Sequence, residues 1–536
     1  MYKNIATKVI LNGNVLTMAD DMPKAEAVAI NGTKIIAVGS NEEIKNYISP
    51  ETEVLDVDGR VVIPGLADIH VHVAMDAANV GSVEIRDFYD PSVTSVKVIL
   101  DRIKERADKT PAGEWIHAHG APMQDGRLEE RRFPTKEELD EVAPNNPCYA
   151  SFGAHIAIAN SCLLKTLGIT RDTPNPHAGL IVRDEAGEPT GEFQERPAMR
   201  ILELADESKP KNIEDGIEKL LYEVASRGTT VVHENIYGPD EVLAYQNLCD
   251  QGRLPVRVHL KLRVIESDLD LNSFLEVGIR QKFGNDMLKI GGVKMSIDGG
   301  FTGRQGAFKG MNGLIRISQE RLNDAVEKCH LKGIRCHIHA IGDEAVDMAL
   351  TALEKAQEKL FLPDIRHRIE HAGNWLFTKD LRDRAKKIGV IPVSNPCFLY
   401  FVGDSADDYI GKERNEHCYC LRTLKDEGFT IAFGSDATVY YPVDVIRDIA
   451  AAVTRKSIGG NIYSPEEAIT FHEGLVAQTK EAAWVGFEEN LAGTLEPGKI
   501  ADICVLDKDP DQCTPDELFT LPVKYTICAG KITHKA

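Results

Sequence analysis

This chain has no apolar run near the length that spans a bilayer, no CxxC pair, no internal repeat and no low-complexity tract. Each absence removes a class of protein. The 11 cysteines are scattered. An odd, unpatterned count argues for reduced thiols in a cytoplasmic protein rather than a disulfide scaffold. The tightest cluster, His417-Cys418-Tyr419-Cys420, has no second pair nearby and reads as buried thiols rather than a zinc knuckle. The first 18 residues carry Lys3 and Lys8 but no long apolar segment or small-residue cleavage site, so no secretory signal is expected. Basic residues are also in short supply. Against 83 Asp and Glu stand 62 Lys and Arg, a net charge of -21. Such a surface argues against nucleic-acid and anionic-membrane partners and suits a small-molecule substrate.

What is present is the composition of an ordinary globular protein, 43% hydrophobic and 27% charged. At 536 residues a large domain with a smaller one is the natural expectation. Residues 1–60 alternate short apolar runs with Asn-Gly turns, as in Asn12-Gly13 and Asn31-Gly32, which are hairpin signals. Residues 489–536 have the same character. Neither end holds enough strands for a stable sheet, so one β-sandwich built from both is expected. Between them, over 61–488, strand and helix patterns alternate. Strands are expected at 61–72, 229–235, 257–264, 290–298, 334–340, 365–371, 389–395 and 430–436, with helices such as Glu320 to Lys332 and Glu344 to Lys359. Eight strands with crossover helices predict an α/β fold, a (β/α)8 barrel. An insertion at about 80–215, between strands one and two, holds charged helical stretches such as Ser95 to Lys109 and Pro-rich loops.

The chemistry concentrates at the strand ends. In Pro64-Gly65-Leu66-Ala67-Asp68-Ile69-His70-Val71-His72 an apolar strand ends in two histidines two apart. Alternate residues of a strand share a face, so His70 and His72 project together and can bind a divalent metal. Lys294 lies in strand four; His339, His371 and Asp436 end strands five, six and eight. A barrel places its active site at this end of its strands. A lone histidine is more often structural, but this joint pattern is not expected by chance.

These residues, with Gly187-Glu188-Pro189-Thr190-Gly191, His339-Ala340-Ile341-Gly342-Asp343, Glu370-His371-Ala372, Gly434-Ser435-Asp436 and Ala492-Gly493-Thr494-Leu495-Glu496-Pro497-Gly498, resemble the amidohydrolase superfamily over nearly the whole chain. The branch resembled is amidohydrolase family 3, which includes N-substituted formamide deformylase. The resemblance implies a hydrolase with one or two Zn2+ or other divalent ions. His70 and His72 would bind the more buried ion, and His339 and His371 the second. Lys294 would bridge them as a carboxylated lysine, since an ammonium would be repelled where a carbamate is an anionic donor. The plain alternative is a lysine facing solvent or pairing with Asp298. The metal would bring the pKa of a bound water to about 7 and polarise the scissile carbonyl. Asp436, a metal ligand in this reading, would also be the general base and acid; its alternative is a helix N-cap. The resemblance also implies a homodimer.

Softer candidates surround this set. His155, in the insertion, is a substrate-binding or structural residue; Arg304, on a Gly-rich loop, could bind a substrate carboxylate; Asp298 could orient Lys294 or a ligand. His117 and His119 mimic a metal pair without partners and read as structural or pocket-lining. His337 shares a face with His339 and could support it. His233 and Glu234 line the pocket or pack. Tyr400, Phe401, Tyr440 and Tyr441 could enclose an apolar substrate group or pack loops. The expected reaction is hydrolysis of a non-peptide C–N bond in an amide, cyclic amide or N-formyl compound. A deaminase or esterase on the same metal, or a non-catalytic scaffold, are the alternatives.

Overall fold

A computed structural model describes residues 5–77, 80–87, 90, 92–153, 155–176, 179–195, 198, 213–265, 270–437 and 443–536. Its centre is a sheet of eight parallel strands in sequential order: β1 (Leu66–Val71), β2 (Thr229–Ile236), β3 (Arg257–Arg263), β4 (Leu288–Ser296), β5 (Cys336–His339), β6 (Arg368–Glu370), β7 (Ile391–Ser394) and β8 (Ala432–Phe433). The backbone closes β8 onto β1, since Asp436 N–H donates to His70 O at 2.8 Å and His72 N–H to Ala437 O at 2.5 Å. Helices Gln319–Leu331 and Asp343–Lys359 cross over between strands, as the (β/α)8 reading expects.

Closure needs a residue without a side chain. A Cβ on Gly434 would stand 2.3 Å from Cβ of His70. Gly434→Ala is therefore expected to push β8 away from β1, cost about 1–3 kcal/mol of stability as overpacking, and lower metal content with it; thermal melting and elemental analysis read both. Lower in the wall, a π-helical turn at Ala477–Glu481 supplies Gln478. Its side-chain oxygen accepts from Phe433 N–H at 3.0 Å, and its nitrogen donates to Phe433 O at 3.3 Å. The short β8 thereby satisfies backbone groups that a longer neighbour would have paired.

The expected first strand, 61–72, is two strands. Val61–Pro64 belongs to a six-stranded sheet with Asn14–Leu16, Lys24–Ala25, Ile503–Leu506, Val523–Cys528 and Lys531–Lys535. The break falls at Gly65, where a Cβ would meet Oγ1 of Thr230 at 2.2 Å. A four-stranded sheet, Lys34–Gly39, Ala27–Asn31, Lys8–Leu11 and Glu53–Asp56, packs on the six-stranded one. Their shared core holds Ile10, Val28, Ile30 and Leu55 from one and Val15, Val62, Ile503 and Ile527 from the other. Both chain ends thus build one sandwich.

The insertion contains more than helices. Val96–Ala107, capped by Ser95, matches the expected charged helix. Beside it lies a six-stranded mixed sheet of Gly179–Arg183, Pro189–Glu195, Ile156–Ala159, Cys148–Phe152, Ile116–Gly120 and Val83–Glu84. Among the described residues no helix is long and apolar enough to cross a membrane.

Candidate metal centre

The barrel interior is polar, and strand alternation makes it so. On β3, Arg257, His259, Lys261 and Arg263 are all buried, with Val258, Leu260 and Leu262 between them in the main apolar core. On β6, Arg368 and Glu370 share a face in the same way. At the upper end of this interior the six expected residues come together. Nε2 of His70 lies 3.2 Å from Nζ of Lys294 and 3.2 Å from Oδ1 of Asp436. Nε2 of His72 lies 2.9 Å from the same Asp436 oxygen. The His70 and His371 rings are 5.1 Å apart, and those of His371 and His339 4.6 Å. Ligand atoms of His70, His371 and Asp436 all fall within 4.8 Å of one another.

Two of these residues hold strained backbone. His371 has φ of 75° and Asp436 of 58°. A non-glycine residue keeps that conformation only where its surroundings fix it, as functional sites do. The N-cap role considered for Asp436 falls instead to Asp444, at the head of Val445–Thr454.

Burial sets the charge state of the site. It lowers all four imidazoles, His70, His339 and His371 below the usual histidine value and His72 to about 4, so they are neutral at pH 7. It lowers the Lys294 ammonium to about 8. Burial would raise Asp436, but His70 and His72 beside it hold it well below the carboxylate range. Neutral imidazoles, an ionised carboxylate and an amine that deprotonates readily are the donor set a divalent ion requires. Among the described residues Nε2 of His339 is buried and makes no hydrogen bond, standing 3.5 Å from Oδ1 of Asp298. An orphaned imidazole nitrogen beside three other imidazoles fits a metal ion.

The cluster is braced from behind. Nδ1 of His70 donates to Oε2 of Glu370 at 2.6 Å, and Glu370 also engages Nδ1 of His337 at 3.2 Å and Nη2 of Arg368 at 2.8 Å. Nδ1 of His371 contacts Oδ1 of Asn395 at 2.8 Å. Tyr237 OH lies 3.3 Å from Nδ1 of His72. Bonds of this kind fix which imidazole nitrogen faces the ion. Sequence reasoning gave Glu370, Asn395 and Tyr237 no role. Glu370 was legible through its two-residue spacing from Arg368; Asn395 and Tyr237 carried no such signal.

The softer candidates separate. His155 contacts Glu195 at 3.0 Å and lies against the loop after β4. Asp298 is fully buried, and its carboxylate accepts from the amides of Ala307, Ile341 and Gly342 at 2.8, 3.0 and 2.9 Å. It organises these loops and also stands 3.5 Å from Nε2 of His339, and burial raises it to about 7. Arg304 is not brought to the cluster. It is 52% exposed, pairs with Asp125 at 3.4 Å and lines a cleft of about 570 Å³ that none of the six cluster residues touches. His233 stacks on His259 and contacts Arg368, deep in the barrel. His119 reaches Asp76 at 3.6 Å, and His117 bonds Ser151 and stacks on Tyr149. Tyr400 stacks on Phe519, away from the site, and the ring beside His371 is Phe398 at 6.1 Å. Tyr440 and Tyr441 lie outside the described residues. Cys418 and Cys420 are free, buried thiols.

A parallel barrel with histidines, a lysine and an aspartate at its strand ends defines a class, the metal-dependent hydrolases of the barrel type. The chain belongs to the amidohydrolase family, whose model matches residues 53–534. It is 30% identical to protein YtcJ of Bacillus subtilis (strain 168), over 98% of each chain. It is 28% identical to N-substituted formamide deformylase of Arthrobacter pascens, again over 98% of each. A metal-dependent hydrolase of Pyrococcus furiosus superposes with a TM-score of 0.71 at 25% identity, covering 94% of this chain and 99% of that one. The protein is a hydrolytic enzyme of this family, acting on carbon–nitrogen bonds.

Proposed function

We propose that this chain hydrolyses a non-peptide C–N bond of a small molecule, an amide, cyclic amide or N-formyl amine. The observation that carries the reading is the contact of Asp436 with both His70 and His72, at 3.2 and 2.9 Å, beside Lys294 and His371. His70 and His72 would hold one ion and His339 and His371 a second, with Lys294 as a carbamate between them. Zinc suits this mixture of imidazole and carboxylate donors. The ion, when bound, supplies an acidified water and a Lewis acid for the carbonyl.

The chain's own residues do the rest. Glu370 and Asn395 hold His70 and His371 in orientation. Asp436 takes a proton from the attacking water on its carboxylate as the carbon–oxygen bond forms. It then returns the proton to the departing nitrogen as the carbon–nitrogen bond breaks, leaving a carboxylic acid and an amine. The buried Lys294 ammonium sheds one proton, and the free amine adds carbon dioxide and loses a second, so that a cation is exchanged for an anionic oxygen donor. The formamide deformylase of Arthrobacter pascens supports the N-formyl choice by likeness over its whole length.

Elemental analysis of purified enzyme, supplied with zinc and bicarbonate, tests the centre. One to two ions per chain are expected, with the content sharply reduced in His70→Ala. A carbonyl signal from isotopically labelled bicarbonate should appear in the wild type and vanish in Lys294→Ala. No stoichiometric metal in the supplied wild type would overturn the mechanism. Release of ammonia from an amino-substituted ring, with N-formyl amines untouched, would replace the amidase by a deaminase.

A further inference from the structure

Two side chains of the insertion, His155 and Glu195, meet the loop that follows β4. His155 follows strand Cys148–Phe152, and Glu195 ends strand Pro189–Glu195. Nδ1 of His155 lies 3.0 Å from Oε2 of Glu195. Nη2 of Arg316 donates to the same oxygen, and Gly300 N–H donates to Oε1 at 3.2 Å. One buried carboxylate thus ties together the insertion, the loop after β4 and Arg316. Glu195 has φ of 60°, in the left-handed region, which a glutamate adopts only where its neighbours compel it.

The loop after β4 is shaped to receive this pair. A Cβ on Gly300 would stand 2.4 Å from Cε1 and Nε2 of His155, and one on Gly303 would stand 2.3 Å from Oε1 of Glu195. Two residues before Gly300 is Asp298, which stands beside His339. Exposure divides the group by role: the Glu195 and Arg316 side chains are 1% and 6% exposed, His155 12%.

We propose that Glu195, fixed by Arg316, is a positioning residue that holds His155 against Gly300, so that the insertion presents an imidazole to the substrate carbonyl. The proposal rests on the hydrolase reading above. Burial would raise the Glu195 carboxyl, but His155 and Arg316 hold it below its ordinary value, so it stays an acceptor. An ionised carboxylate accepts a hydrogen bond from Nδ1–H of His155. That fixes the ring's orientation and makes Nε2 the atom it offers. Loss of Glu195 removes the acceptor on Nδ1; without His155 the strained Glu195 has nothing to position.

The test is a double-mutant cycle on the full-length, zinc-loaded enzyme with an N-formyl amine. In Glu195→Gln an amide donor replaces one oxygen and must face either Gly300 N–H or Arg316. Glu195→Gln and His155→Ala should each lower kcat/KM about 10–100-fold, as lost outer partners do, with metal content unchanged. The double variant should be no worse than His155→Ala alone. Gly300→Ala, which crowds the ring while leaving every polar group in place, should reproduce the loss. A second readout does not depend on turnover. Long-range proton–nitrogen spectra of labelled histidine should show His155 protonated at Nδ1 in the wild type and altered in Glu195→Gln. Additive losses with an unchanged His155 signal would overturn the proposal, because a carboxylate with only a structural role gives that result. If the wild type binds metal but hydrolyses no amide or N-formyl amine, the proposed function falls, and the spectrum still decides the role of Glu195.

Discussion

Asp436→Asn is expected to abolish most turnover, lowering kcat by about 10²–10⁴-fold, the contribution typical of a positioned proton carrier. Asparagine keeps the size and the side-chain oxygen, so contacts to His70 and His72 at 3.2 and 2.9 Å persist in part. What is lost is the capacity to accept a proton. Metal content should fall far less than activity, and KM should change little. Steady-state kinetics beside elemental analysis of the same sample separates the two quantities. Undiminished kcat with full metal content would remove Asp436 from the proton pathway and assign it to metal binding alone.

Glu370→Ala has the second large effect, and stability shows it first. Glu370 is fully buried, with Arg368, His70 and His337 around it. Its own carboxyl is held well below the usual range, against burial, by the neighbouring Arg368 and Lys261 cations and the imidazoles. Removing it leaves the guanidinium of Arg368 with one partner fewer in a dry interior. Breaking a buried ion pair from one side costs about 3–5 kcal/mol. It also strips the acceptor from Nδ1 of His70, so metal affinity should drop about 10–100-fold. Denaturant unfolding and competition with a chelator measure these separately. Glu370→Gln, which keeps one acceptor, should lose less of both. A Glu370→Ala variant of wild-type stability would show that the interior tolerates Arg368 without its carboxylate partner, and the bracing role would fall with it.

The barrel was legible because strand-like and helix-like segments succeed one another along the chain. Seven of the eight expected strand segments contain the observed strand or coincide with it to within two residues, β2 through β8. The first needed correction at Gly65, since Val61–Pro64 and Leu66–Val71 form a continuous apolar stretch in sequence but belong to different sheets. Only the close approach of Thr230 shows where the chain changes layer. The insertion's sheet was missed for a related reason. Ile116–Gly120, Cys148–Phe152 and Ile156–Ala159 are buried at every position. Four or five buried residues do not distinguish a strand from a buried helical turn, and no regular succession of crossover helices marks these strands as it marks those of the barrel.

The site divides in the same way. His70, His72, Lys294, His339, His371 and Asp436 were picked out by their places in or just after the barrel strands and by the family resemblance, and the structure brings all six together. The surroundings of Arg304 and Asp298 were not legible in the same way. Arg304 turns outward to Asp125, and Asp298 spends its carboxylate on three backbone amides. Nothing local marks either outcome, because the partners are 179 and up to 44 residues away along the chain. The sequence by itself determined the family, through the motifs it shares with the amidohydrolases, and the barrel, through its succession of strand-like and helix-like segments, and it named six residues that the structure gathers at one end of the barrel. Tertiary structure alone decided that the polar residues of β3 and β6 face a closed interior rather than water. It also decided which carboxylate braces which histidine, and that a helix-rich insertion carries a sheet whose Glu195 and His155 reach the barrel. Those are contacts between segments far apart in the chain, and only closure of the barrel brings them within reach.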